Sequence, residues 1–197
     1  MKTQASPEQG APRDTVGGTA RYTLTAMVLH WVLAVAILTA FFVGLTVDDM
    51  PLSPAKLKLI NWHKWAGISI LLLSVLRLLW RLAHRPPALP GSIQQTMPGW
   101  QTKAYHATHH LMYLLFFVVP LLGWAYSSAK GYPIVWFGVL PLPDLMPVNK
   151  EIAESIKELH GLAAWGLIGL VALHVAAALK HQFIDKDGLI SRMLPGR

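Results

Sequence analysis

Residues 160–179 read HGLAAWGLIGLVALHVAAAL, twenty residues without a formal charge, carrying a histidine at positions 160 and 174. Twenty helical residues reach about 30 Å, the thickness of a bilayer's hydrocarbon core, so this stretch is a membrane-spanning helix. Fourteen residues are just under four turns, which puts both imidazoles on nearly one helix face, about 21 Å apart along the axis. A polar ring within lipid is costly unless it has a partner or a function, and neutral imidazole is a strong ligand for iron. One helix thus offers two stacked axial ligands, one near each side of the membrane.

Composition agrees with a membrane protein. The chain has 197 residues, 53% of them hydrophobic and only 14% charged, and a single membrane domain is expected. It contains no cysteine. That excludes disulfides, cysteine-ligated iron–sulfur clusters and covalently attached c-type haem, and leaves histidine as the metal ligand. The net charge of +7 comes from basic residues that flank apolar spans without forming a compact patch with interleaved aromatics, so no nucleic acid is expected.

Outward from helix four, three further spans are legible. Tyr22 to Val47 is uncharged and longer than a spanning helix requires. WHKWAGISILLLSVLRLLWRL, from Trp62, forms the second, with Trp62 and Trp65 as interface anchors and Arg77 and Arg81 marking its far end. RPPALPGSIQQTMPGWQTK reads as a loop, and Ala104 to Ala129 as the third span, with Pro120 and Gly123 a candidate kink. KEIAESIKEL, before the fourth span, reads as a short separate amphipathic helix at the interface. The expected organisation is a flexible cytoplasmic tail over 1–21, a four-helix transmembrane domain over 22–184 and a basic cytoplasmic tail over 185–197. Eleven Lys and Arg fall on the side holding both termini and six on the other, so the positive-inside bias puts both termini in the cytoplasm.

With that topology, the histidines sort by depth. His63 and His160 form an outer layer, one from each of two helices, the minimum for a bis-histidine haem. His30 and His174 lie in an inner layer, with His106, His109 and His110 of helix three as competitors. Arg77 follows His63 by fourteen residues and shares its face; a charge at that depth needs a counter-ion, either a haem propionate or, more plainly, the inner headgroups. Gly67, Gly123, Gly161, Gly166 and Gly169 would let a flat macrocycle approach the backbone, although small residues also serve plain helix packing. HATHH at 106–110 matches a histidine box of di-iron oxygenases, but that chemistry needs several boxes and the other six histidines stand singly. His181, seven residues after His174, would face the inner haem's edge and is placed to exchange protons with a quinone.

The segments LHW, NWHKWAGISILLLSVLRLLWRL, YHATHHLMYLLFFVVPLLGW and LHGLAAW, followed by LHVAAALKHQF and KDGLISRMLPGR, resemble the bacterial cytochrome b561 family over about residues 20–197. The resemblance implies an all-α bundle of four transmembrane helices in the inner membrane holding two b-type haems. It assigns His30 with His174 to the inner iron and His63 with His160 to the outer one, and leaves His109 as a spare near the inner haem at a quinone pocket.

Stand-alone members of the family that the chain resembles include superoxide oxidases, which implies oxidation of superoxide at the periplasmic face and reduction of ubiquinone. Lys56, Lys58 and Lys64 near the outer haem would concentrate the anion, although Asp48 and Asp49 work against them. Quinone protons would come from His181, His109 or a carboxylate such as Asp185. The competing reading is an electron-transfer subunit that serves a periplasmic dehydrogenase or other redox protein through the loop from Lys130 to Leu159.

Overall fold

The computed structural model describes residues 21–89, 93 and 97–194. Four long helices cross the apolar layer: α1 (Leu24–Asp49), α2 (Pro54–Ala83), α3 (Gly99–Lys130) and α4 (Lys150–Lys180). Each is long and apolar enough to span a membrane. Their outer surfaces expose large apolar side chains such as Leu38, Phe42, Leu72, Leu79, Leu114 and Leu173, which suits contact with lipid rather than water. Residues 1–20, the body of the expected cytoplasmic tail, lie outside the described residues.

Side-chain caps start three of the helices. Thr23 Oγ1 accepts from the Ala26 amide, Ser53 Oγ from that of Lys56, and Asn149 Oδ1 from those of Glu151 and Ile152. The Asn149 cap corrects the sequence reading, because KEIAESIKEL is no separate helix but the first turns of α4. These turns carry charge because they stand clear of the apolar layer, where Glu154 pairs with Lys130 and Lys157 reaches Asp48 at 3.0 Å. Helix α2 likewise begins at Pro54, eight residues before Trp62, and α3 at Gly99, inside the segment read as a loop. Pro120 sits within α3 without ending it.

Helix α1 packs against α2, α2 against α3 and α3 against α4. The core joins Leu33, Ile37 and Ala40 of α1, Ile70 of α2, Met112 of α3 and Leu167 of α4, with Phe116 packed on them.

Segments outside the helices also pack onto the bundle. Between α3 and α4, β1 (Val135–Trp136) pairs antiparallel with β2 (Leu140–Pro141). The three-residue connection Phe137–Val139 turns through Phe137 and Gly138, both left-handed at φ 51° and 73°. Trp65 donates to the Val135 carbonyl at 2.6 Å and Trp136 to Ser69 Oγ at 3.2 Å, tying the hairpin to α2. After α4 the chain makes a wide turn over His181–Asp185 and a short 3₁₀ turn over Ile190–Met193. It then returns to the start of α1, where Trp31 Nε1 donates to the Met193 carbonyl at 2.8 Å.

Candidate cofactor site

Residues spaced by seven recur on one face of every helix, since seven residues fall short of two turns by only about 20° of rotation. On α2 the column is His63, Ile70, Arg77; on α4 it is His160, Leu167, His174; on α1, His30, Ile37, Gly44; on α3, His109, Phe116, Gly123. Neighbouring helices run in opposite directions, so the columns meet as three layers. The middle one is the apolar core just described. Above it lie two histidines and two glycines, and below it three histidines and an arginine.

In the outer layer the rings of His63 and His160 have centroids 6.0 Å apart at an interplanar angle of 87°. Their supports match. His63 Nδ1 stands 3.0 Å from the Ala40 carbonyl and His160 Nδ1 stands 2.9 Å from the Val119 carbonyl. Each carbonyl belongs to the residue one turn before a glycine, Gly44 in the first case and Gly123 in the second. A Cβ on either glycine would come within 3.1 Å of the facing ring's Cε1. The missing side chain thus lets an imidazole reach a helix carbonyl that would otherwise be covered. With Nδ1–H donated to that carbonyl, Nε2 keeps its lone pair for a metal.

In the inner layer His30 and His174 have centroids 6.3 Å apart at 68°. His109 joins them, its ring 5.2 Å from that of His174, while its Nδ1 donates to the Tyr105 carbonyl of its own helix at 2.7 Å. Arg77 approaches His30 Nδ1 at 3.1 Å through Nη2 and donates from Nε to Tyr113 Oη at 3.2 Å; its Nη1 is buried without a partner among the described residues.

Whether a metal fits can be judged from the rings. Two imidazole nitrogens at about 2 Å from one ion place their ring centres roughly 6 Å apart. Both pairs have that separation. The outer pair also offers the right tautomer. At the inner pair, Nε2 of His30 becomes a ligand once Nδ1 carries the proton, so the Arg77 donor there must turn to an anion. Its unpartnered Nη1 is already available to one. The residues present therefore fit two bis-histidine haems.

Other residues singled out in the sequence are placed as follows. His181 does not join the inner layer directly: its Nδ1 lies 2.6 Å from Asp187 and 3.1 Å from Asp185, which is also held by Lys180. His106 and His110 stay on the exposed side of α3. Lys56 donates to the Met50 carbonyl, Lys58 lies over Trp62, and Lys64 donates to the Tyr132 carbonyl. None of the three pairs with a carboxylate among the described residues. Asp48, expected to offset them, is engaged by Lys157. Gly44 and the carbonyls of Ala40 and Val119 escaped the sequence reading. The seven-residue step from His30 through Ile37 to Gly44 was the signal that would have exposed the first.

The sequence pattern of the prokaryotic cytochrome b561 family matches residues 21–196. The chain is 33% identical over 175 residues to cytochrome b561 homolog 2 of Escherichia coli K12, covering 88% of this chain and 91% of the relative. It is 34% identical over 186 residues to cytochrome b561 homolog 1 of the same organism, with 90% and 98% covered. To the probable superoxide oxidase CybB of Yersinia pestis it is 27% identical over 179 residues, with 89% and 96% covered. The chain belongs to the prokaryotic cytochrome b561 family, and is a haem-b-binding, multi-pass electron-transfer protein of the bacterial inner membrane.

Proposed function

We propose that the protein is a di-haem cytochrome that oxidises superoxide at the outer face and reduces ubiquinone at the inner one, with both termini in the cytoplasm. The observation that carries the reading is the pair of stacked histidine couples, each at the separation a bis-imidazole iron requires, about 21 Å apart along α4. His63 and His160 would hold the outer iron and His30 and His174 the inner one, and Arg77 would neutralise a propionate. Bound at these two depths, haem would supply one-electron transfer across the apolar layer.

The protein's own residues have three tasks. Ala40 and Val119 orient the outer imidazoles through their carbonyls. Lys56, Lys58 and Lys64 raise the local concentration of an anionic substrate. His181, held by Asp187, hands protons to the quinone, with His109 lining the quinone pocket beside His174. Two superoxide anions leave as two molecules of dioxygen, and their two electrons with two protons convert one quinone to quinol. The likeness to a relative named as a probable superoxide oxidase supports this substrate.

Rapid mixing of the oxidised protein with superoxide tests the reading, with haem reduction followed optically. Reduction at near-diffusional rates is expected; a protein with both haems in place that is not reduced ends the oxidase assignment. One feature favours a second reading, an electron carrier docked to a periplasmic redox protein. The hairpin between α3 and α4 presents Phe137 and Val139 outward, 59% and 83% exposed. Co-purification of a redox partner that is lost on Phe137→Ser would support it.

A further inference from the structure

At the end of the bundle that holds His30, α2 carries Arg77 and Arg81 one turn apart, followed by His84 and Arg85. Together with Arg21 they line a cavity of about 70 Å³ between the starts of α1 and the ends of α2. Arg81 lies over the Tyr113 ring at 5.4 Å, and neither it nor Arg85 forms a hydrogen bond or ion pair among the described residues. A helix C-terminus offsets about half an elementary charge. That leaves most of the charge of Arg81 and Arg85, both exposed at the end of α2, without a counter-ion among the described residues.

Size narrows the anion. About 70 Å³ has room for roughly five waters, enough for a tetrahedral phosphate and well below the roughly 300 Å³ or more of pockets that take a ring system. Trp80 and His84, stacked at 3.9 Å, form one wall, and Trp80 Nε1 donates to Thr23 Oγ1 at 2.9 Å, fixing that wall to α1. Beside the cavity, an open groove runs over Met27, Val28, Trp31, Val32 and Leu194, all apolar. Cavity and groove lie side by side at the start of α1, Ala26 and Met193 lining the first and their chain neighbours Met27 and Leu194 the second. A cationic recess beside an apolar groove at a membrane's edge suits an amphiphile with a negative head.

We infer that Arg81, Arg85 and His84 bind the phosphate of an anionic phospholipid, whose acyl chain lies in the groove over Met27, Val28 and Trp31. Arg77 stays with the inner histidine layer, and Arg21 holds the recess closed by donating to the Ser191 and Leu194 carbonyls at 3.2 and 2.5 Å. The inference needs only the membrane-spanning fold and does not rest on the redox reading.

Native mass spectrometry of the haem-loaded protein in detergent tests it, after removal of lipid and titration with phosphatidylglycerol or phosphatidylcholine. One tightly held phosphatidylglycerol per chain is expected, at least tenfold preferred over the zwitterion, and lost in the Arg81→Gln/Arg85→Gln double variant with both haems retained. Arg85→Gln alone, beyond the end of α2, should weaken the same adduct severalfold, and serves where the double variant does not fold. Unchanged lipid retention in the variants overturns the site. Equal displacement by millimolar inorganic phosphate would make it a free-phosphate site and overturn the lipid. Loss of haem with lipid retained would give the recess to the cofactor's carboxylates instead.

Discussion

Gly123 lies against the imidazole of His160, so close that a Cβ there would stand 3.1 Å from Cε1, and Gly44 bears the same relation to His63. The missing side chains let each ring reach a helix carbonyl one turn back, at 2.9 and 3.0 Å. Gly123→Ala and Gly44→Ala should therefore each weaken outer haem binding about 10- to 100-fold, the usual cost of disturbing a ligand's support, while the inner haem stays. Haem quantified by pyridine haemochrome should fall from two per chain toward one. Two haems retained with an unaltered spectrum would remove the glycines from the site.

The ligand pairs should behave as units. His63→Ala and His160→Ala should each remove the same haem, and the double variant should lose no more than either single one. His30→Ala or His174→Ala should remove the other. A variant of His63 that costs the haem lost on changing His30 would break the pairing.

Arg77 offers a test by potential. Removing a positive charge beside one haem favours its ferric state, so Arg77→Gln should lower the midpoint of one haem and leave the other within error. Arg77→Lys, which keeps the charge but not the planar fork that spans His30 and Tyr113, should restore the potential only in part. A redox titration that shows two unshifted midpoints would leave Arg77 to the headgroups.

Proton delivery is separable from electron entry. Asp187 accepts from His181 Nδ1 at 2.6 Å and, through its other oxygen, from the Leu189 amide at 3.1 Å. Asp187→Asn removes the oriented acceptor and should slow quinol formation about tenfold or more, while haem reduction by superoxide keeps its rate. Equal slowing of both steps would show that the substitution damages the bundle instead.

Steering by Lys56, Lys58 and Lys64 predicts a salt dependence. The second-order rate with superoxide should fall severalfold between about 10 mM and 150 mM salt, as the screening length shrinks from about 30 Å to 8 Å. Lys58→Gln should flatten that dependence, and Asp48→Asn should steepen it. A rate indifferent to salt would take these lysines out of the reaction.

Helix lengths were least legible where charge and helix coincide. The run at 150–159 looked like a separate surface element because Lys150, Glu151, Glu154, Lys157 and Glu158 interrupt hydropathy. Yet the backbone hydrogen bonds of α4 continue from Lys150 to Lys180, because a helix is stabilised by its own ladder and is indifferent to where the membrane stops. The order of the C-terminal segment was equally hidden. Nothing local in its sequence tells that Trp31, Arg21 and Tyr22 would hold it against α1.

By itself the sequence determined the four spans, the fourteen-residue step between His160 and His174, and the two depths at which imidazoles lie. Those quantities depend on rise per residue and on hydropathy, both written along one chain. Tertiary structure alone decided which face of each helix turns inward, and so that Gly44 meets His63, that Gly123 meets His160, and that His30 stands between Arg77 and His174. Such meetings depend on the rotation of one helix against another. Packing of Ile37, Ile70, Phe116 and Leu167 midway between the layers fixes that rotation, and no single helix encodes it.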